Sequence, residues 1–101
     1  EGIALGKSSN LNMNKVFEAI SGGAAQSWQM DNRFKTMVDG KFNFGFAVDL
    51  MIKDLNIALT KARLENLDLR TSNSVIKNYK KLSKIGLGNL DTSSLIKLLE
   101  K

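Results

Sequence analysis

The sequence predicts an all-α fold, a bundle of about five helices. The 101 residues include no proline, so the strongest helix breaker is missing and the 8 glycines are the main punctuation. Apolar residues recur at intervals of three and four, the spacing that places them on one face of a helix. Short polar and glycine-containing runs separate these segments, and each helix can therefore be assigned in turn.

The first two helices are short. Residues 1–6 contain no methionine and no capping residue, and we interpret them as the last turns of a helix that begins upstream, so a truncated chain is expected. Gly6 is expected to end this helix in the left-handed conformation. Asn12 is a good N-cap for the second helix, which ends at the turn in residues 21–23.

Two longer helices follow. Residues 24–38 form the third, with Trp28 and Phe34 among the side chains available for burial. Residues 41–45 are aromatic but too few for a convincing strand, and we interpret them as an extended loop. The longest helix runs from about residue 47 to 66, and its broad apolar stripe predicts burial on more than one side.

Two further helices complete the bundle. Thr71 or Ser72 can cap a helix that ends at glycines 86 and 88, and Asp91 caps the last helix. The chain shows no internal repeat and no low-complexity segment. Residues 1–101 are therefore predicted to form one helical domain.

The composition excludes several kinds of site and partner. The chain has no cysteine and no histidine, which rules out disulfides, the usual zinc sites and Ser-His or Cys-His catalysis, and suits a cytoplasmic location. No apolar run approaches the ~20 residues that span a bilayer, so no membrane partner is expected. The net charge is +5, but the basic residues are scattered and dense only at residues 77–81, so we expect no nucleic acid partner.

The most suggestive place for a site is residues 45–55. Lys53 and Asp54 interrupt an otherwise apolar helix, where a charge is costly unless it is paired or used. The alternative is a surface ion pair between Asp49 and Lys53, four residues apart and worth ~0.3–0.5 kcal/mol. The residues alone leave both interpretations open.

Two other features each have a functional and a structural interpretation. Residues 22–23, two glycines, can present backbone amides to an anion, but without a dinucleotide fingerprint around them a plain turn is favoured. The aromatic side chains can line a pocket for a flat ligand, although core packing is the favoured role for Trp28, Phe42, Phe44 and Phe46.

Several segments in order resemble the C-terminal half of the beta-hydroxyacid dehydrogenases. These are residues 22–33, beginning Gly-Gly-Ala-Ala-Gln-Ser-Trp, residues 45–58, and residues 86–95, with Gly-Leu-Gly followed by Asp-Thr-Ser-Ser-Leu. Residues 1–6 resemble the end of the family's long interdomain helix. The resemblance implies a two-domain enzyme in which a Rossmann domain, absent from this chain, binds most of the NAD or NADP. The helical domain would close the active-site cleft and mediate homo-oligomerisation.

The resemblance also implies roles for three residues. Lys53 matches the lysine that reaches the bound cofactor, Phe46 matches an aromatic residue lining the cleft, and Asp54 matches the acid that orders the lysine or contacts substrate. The family's catalytic lysine lies upstream of this chain, so no catalytic residue and no metal site is expected here, and the chain alone is expected to be inactive. The complete protein would exchange hydride between NAD(P) and a small hydroxy acid or semialdehyde. The alternative function is a non-enzymatic helical dimerisation module.

Overall fold

Helices dominate the computed structural model, which describes residues 1–100. Five α-helices precede a π-helical turn and a 3-10 helix: α1 (Gly2–Ser8), α2 (Met13–Ile20), α3 (Trp28–Val38), α4 (Val48–Leu64), α5 (Arg70–Leu82), the π-turn (Ser83–Leu87) and the 3-10 helix (Thr92–Leu98). Within the described residues, the only strand-like pairing is an isolated bridge between Ala47 and Asp91. The predicted all-α fold is confirmed.

Two apolar clusters hold the helices together. The first joins α1, α3 and the loop after α3 through the buried side chains of Ile3, Phe34, Phe42 and Ile96. The second joins α4 and α5 through those of Val48, Tyr79 and Leu82. The 3-10 helix belongs to both clusters, because Ile96 packs into the first while Leu95 and Leu98 pack against the second. The last ten described residues therefore connect the two halves of the bundle.

Two helices begin at side-chain caps. The Asn12 side chain accepts a hydrogen bond from the Lys15 amide at 3.1 Å, which confirms the predicted start of α2. The Ser27 hydroxyl accepts from the Met30 amide at 3.1 Å, and α3 therefore begins at Trp28. The prediction that this helix starts at residue 24 is wrong, because the cap lies three residues later.

Other boundary predictions are also wrong. Gly6 lies inside α1 and is buried where Met13 approaches it, and the left-handed residue is Asn10, with φ 55°. Helix α5 begins at Arg70 without a side-chain cap, so neither Thr71 nor Ser72 has that role. Asp91 does cap the last helix, but that helix is 3-10.

Helix α4 is buried along one side only. It packs against α5, the π-turn and the 3-10 helix, with Val48, Leu59 and Ala62 facing inward. Its opposite side remains exposed in this chain, contrary to the predicted burial on more than one side, since no described element covers it. Within residues 1–100, no helix has both the length and the apolar character needed to cross a membrane.

Candidate functional site

The three predicted site residues lie at the start of α4. Phe46 is two residues before the helix, and Lys53 and Asp54 are in its second turn; all three are exposed. Lys53 lines a shallow groove of about 590 Å³, close to a flat surface, together with Asp49, Ile52, Asn56, Ile57 and Thr60. Every lining residue belongs to α4, so this groove, the Lys53 groove, can only be closed by a second body.

Lys53 and Asp54 point in different directions. Successive residues of an α-helix are separated by about 100° around its axis, and Asp54 does not line the Lys53 groove. The Lys53 groove therefore has one cation, Lys53, and one carboxylate, Asp49, in its lining, while Asp54 lies beside it. Neither Lys53 nor Asp54 is occupied by an ion pair within residues 1–100.

Asp49 has a different partner from the one predicted. Its carboxylate accepts a hydrogen bond from the Ser83 hydroxyl at 2.6 Å and lies against Gly88. A Cβ on Gly88 would stand 2.5 Å from the Asp49 Cγ, so a side chain there would displace the carboxylate. The Asp49–Lys53 pair does not form, because Asp49 is engaged by the segment after α5. We call Asp49, Ser83 and Gly88 the Asp49 contact.

The same segment caps the first turn of α4. The N-cap residue Ala47 has no side chain that can bond the free amides of the helix. Instead the Val48 amide donates to the Leu90 carbonyl at 2.9 Å and the Asp49 amide donates to the Gly88 carbonyl at 3.0 Å. The direction in which α4 leaves the loop is thus set by backbone 40 residues further along the chain.

Asp91 is the centre of this connection. It is 1% exposed, and its carboxylate accepts four hydrogen bonds. Arg33 Nε donates to Oδ2 at 3.1 Å and the Phe46 amide donates to Oδ1 at 3.0 Å, while the amide and hydroxyl of Ser93 both donate to Oδ2. We call Arg33, Phe46, Asp91 and Ser93 the Asp91 cluster.

The Asp91 cluster favours the ionised carboxylate. Burial by itself raises the pKa of Asp91, but hydrogen bonds from Ser93 and Phe46, together with the Arg33 charge, outweigh burial, and the pKa lies below its ordinary value. Burial raises the pKa of the neighbouring Tyr79, whose hydroxyl donates to the Thr92 carbonyl at 3.2 Å. Asp91 is therefore a charged structural anchor at neutral pH.

Arg33 is held by two aromatic rings as well as by Asp91. Its guanidinium carbon lies 4.8 Å from the centre of the Trp28 ring and 4.9 Å from that of Phe44. Close packing extends to Gly45, which has φ +73°, a conformation that favours glycine. A Cβ there would overlap the Asp91 carboxylate and stand 2.8 Å from Arg33 Nη2.

The aromatic residues divide into two groups. Phe42 is buried in the first apolar cluster, as predicted for core packing. Trp28 is 61% exposed and Phe44 is also exposed, so the core prediction is wrong for these two. Phe46, which the resemblance assigns to the cleft, is exposed as well. Trp28 and Phe44 stack on Arg33 instead, because the 24–27 turn places Trp28 at the edge of the bundle. Residues 22–23 lie in the turn that directly follows α2, as favoured.

Sequence reasoning missed Arg33 and assigned Asp91 only to a helix cap. The available signal was weak: Arg33 follows Trp28 by five residues, not the three or four that bring side chains together on a helix, and only Gly45 stands out, because it interrupts an aromatic run. The partner of Arg33 is 58 residues away, so no local pattern reveals the ion pair.

The chain matches a known protein family over almost its whole length. Residues 1–99 match the family described as NAD-binding of NADP-dependent 3-hydroxyisobutyrate dehydrogenase. The chain belongs to this family. The predicted resemblance to the beta-hydroxyacid dehydrogenases is thereby confirmed.

Individual relatives of this chain are also oxidoreductases or dehydrogenases by name. An uncharacterized oxidoreductase of Shewanella frigidimarina is 48% identical over 101 residues, covering 100% of this chain and 35% of the relative. The L-threonate dehydrogenase of Escherichia coli is 26% identical, covering 97% of this chain and 32% of the relative. The crystal structure of 3-hydroxyisobutyrate dehydrogenase from Salmonella typhimurium superposes with a TM-score of 0.86 at 26% identity, covering 96% of this chain and 34% of that one. The chain thus spans about a third of the length of these relatives.

Proposed function

We propose that residues 1–101 are the C-terminal helical domain of an NAD(P)-dependent oxidoreductase that also has an N-terminal Rossmann domain. The family match over residues 1–99 carries this proposal, because the family description names NAD binding. The relatives are about three times as long as this chain, which leaves room for a separate dinucleotide-binding domain. Their names point to substrates that are small hydroxy acids, with the corresponding semialdehydes or keto compounds as products.

In this proposal the Lys53 groove faces the cofactor. The bound nicotinamide dinucleotide supplies or accepts the hydride. The groove combines an ammonium group that has no ion-pair partner among residues 1–100 with the apolar side chains of Ile52 and Ile57. The Asp49 carboxylate in the same lining is engaged by the Ser83 hydroxyl, which leaves Lys53 as the group that would meet an anionic ligand. Lys53 would bind an anionic or polar part of the cofactor through a charge-assisted hydrogen bond.

Phe46 and Asp54 complete the proposed cleft. Phe46 exposes its ring at the entrance to α4 and would shield one side of the cofactor from water. Asp54 lies beside the Lys53 groove and would orient Lys53 or contact the substrate. We assign no proton donor to this chain, so the domain by itself would be inactive and would act by capping a cleft.

An exposed apolar stripe on α4 supports a second role, in oligomerisation. Leu50, Ile57 and Leu64 follow one another at intervals of seven residues, two helical turns, so they lie on one side of the helix. Their exposed fractions are 47%, 63% and 74%. An apolar row of this kind is typical of a contact with another helix. Ile57 also lines the Lys53 groove, so a helix seated along the whole stripe would compete with the cofactor for this side of α4. The stripe therefore favours the second candidate function, a dimerisation module without enzymatic activity.

Replacing Lys53 separates the two functions. In the complete protein, Lys53→Met is expected to weaken NAD(P) binding by about ten-fold or more, since a hydrogen bond to a charged group contributes ~1.5–3 kcal/mol. Titration of the reduced cofactor by its fluorescence measures the Kd. Lys77→Met, at an exposed lysine on α5, is the matched control and should leave the Kd unchanged. An unaltered Kd in Lys53→Met would reject the cofactor-capping role and favour the dimerisation module.

A further inference from the structure

The backbone of Phe46 is held in place at both of its polar groups. The side chain is exposed and belongs to neither apolar cluster, so core packing does not hold it. Both backbone polar groups are engaged, however. The amide donates to Asp91 Oδ1 at 3.0 Å, and the carbonyl accepts from the Thr92 amide at 2.9 Å. Residues 91–92 therefore fix the backbone from which the ring projects.

Asp91 is in turn oriented by Arg33. The Arg33 and Asp91 side chains are 16% and 2% exposed, and the Nε–Oδ2 distance is 3.1 Å. Arg33 cannot turn freely, because its guanidinium lies between the rings of Trp28 and Phe44 and Nη1 donates to the Asn32 carbonyl at 3.2 Å. A chain of contacts thus runs from the start of α3 through Arg33 and Asp91 to Phe46.

This chain of contacts continues into α4. The amides of Val48 and Asp49 bond the carbonyls of Leu90 and Gly88, in the segment that Asp91 terminates. The loop before α4 and the first turn of the helix are therefore fixed to the same short segment. Anything that moves Asp91 shifts Phe46 directly and alters the direction from which α4 presents its second turn.

We propose that Arg33 and Asp91 are positioning residues for the cofactor cleft, acting through Phe46 and the first turn of α4. The inference rests on the proposed function of Phe46 and Lys53. Neither Arg33 nor Asp91 need touch the cofactor. Their effect would be to hold the capping surface in one geometry before the cofactor arrives, which reduces the ordering that binding requires.

Two conservative variants of the complete protein test this inference. Asp91→Asn keeps the size of the side chain but removes the charge and one acceptor, and Arg33→Lys keeps the charge but loses the planar group that fits between two rings. Asp39→Asn is the matched control, because Asp39 is an exposed aspartate whose ion pair with Lys41, at 3.9 Å, lies outside the Asp91 cluster. Circular dichroism melting curves identify a temperature at which every variant is folded, and the measurements are made at that temperature.

Two measurements are made on each folded variant. Amide hydrogen exchange at Phe46 measures how stable the hydrogen bond from that amide to Asp91 is. The Kd for reduced NAD(P) measures how well the cleft binds the cofactor. We expect both positioning variants to exchange the Phe46 amide about ten-fold faster and to bind the cofactor about ten-fold more weakly, while Asp39→Asn changes neither. A purely structural role would not change the Kd of the folded protein.

The outcomes distinguish this inference from the proposed function. Faster exchange with an unchanged Kd, in an assay where Lys53→Met does weaken binding, overturns the positioning role and leaves the cofactor-capping function standing. An unchanged Kd in Lys53→Met as well overturns both. Unaltered exchange at Phe46 in Asp91→Asn also overturns the inference, since the Phe46 amide would then not depend on the carboxylate.

Discussion

Gly45→Ala should be far more damaging than Gly40→Ala, although both glycines have positive φ, +73° and +69°. At Gly40 an added Cβ meets nothing within 4 Å, so the cost is that of left-handed backbone alone, ~1–2 kcal/mol. At Gly45 the Cβ would also overlap the Asp91 carboxylate and approach Arg33 Nη2 to 2.8 Å. Only Gly45 therefore adds a steric conflict to the backbone strain.

That conflict has a size that can be worked out from the contacts. To make room, Asp91 must retreat from Phe46 or from Arg33, and a hydrogen bond to a charged group contributes ~1.5–3 kcal/mol. Loss of one such bond, added to the backbone strain, brings the total for Gly45→Ala to about 2.5–5 kcal/mol. Against a usual free energy of unfolding of about 5–15 kcal/mol, this is a large fraction.

Urea unfolding followed by circular dichroism measures the two variants side by side. The midpoint should fall much further for Gly45→Ala than for Gly40→Ala. Equal losses would refute the reasoning, because they would mean that the Asp91 cluster can absorb a methyl group without losing a bond.

The remaining predictions concern acid, a second glycine and assembly. Because the pKa of Asp91 is lowered in the folded chain, its contribution to stability is complete above the unfolded value of about 4 and is lost as the pH falls through the folded pKa. The free energy of unfolding should therefore decline below about pH 4, and less steeply in Asp91→Asn. Urea melts at a series of pH values that show the same decline for both proteins would contradict this. Gly88→Ala should destabilise the chain by about 1–3 kcal/mol. Adding Asp49→Ala to that variant should restore part of the lost stability, because the added methyl group clashes with the Asp49 carboxylate. Strictly additive losses of the two substitutions in urea melts would exclude the Asp49 contact. In the complete protein, Leu64→Glu should weaken self-association by about ten-fold, as read by light scattering, whereas Leu11→Glu at another exposed leucine should not; equal effects would remove the α4 stripe from the interface.

Local signals in the sequence were sufficient for much of the fold. Asn12 caps α2 as predicted, because the side chain of that residue bonds an amide only three residues away. The apolar periodicity located α4 to within two residues at each end. Gly6 was misread, since a glycine can serve either to end a helix or to admit a neighbour, and Met13, its neighbour, belongs to another helix.

The candidate site was only partly accessible from the sequence. Lys53 and Asp54 stand out because charges interrupt an apolar run, and the family resemblance adds Phe46. The Asp91 cluster does not stand out, because Arg33 is 58 residues from Asp91 and Phe46 is 45 residues from it. Local spacing cannot distinguish an aspartate that caps one turn from an aspartate that also binds two distant segments.

The dependence of the α4 start on residues 88–91 has a consequence for the order of folding. The carbonyls that cap α4 are made some 40 residues after its first turn. During synthesis on the ribosome the first turn therefore stays frayed until those carbonyls emerge. Helices α2 and α3, which carry their own caps in Asn12 and Ser27, face no such delay. The part of the domain proposed to meet the cofactor would thus be the last to become rigid in a newly made chain.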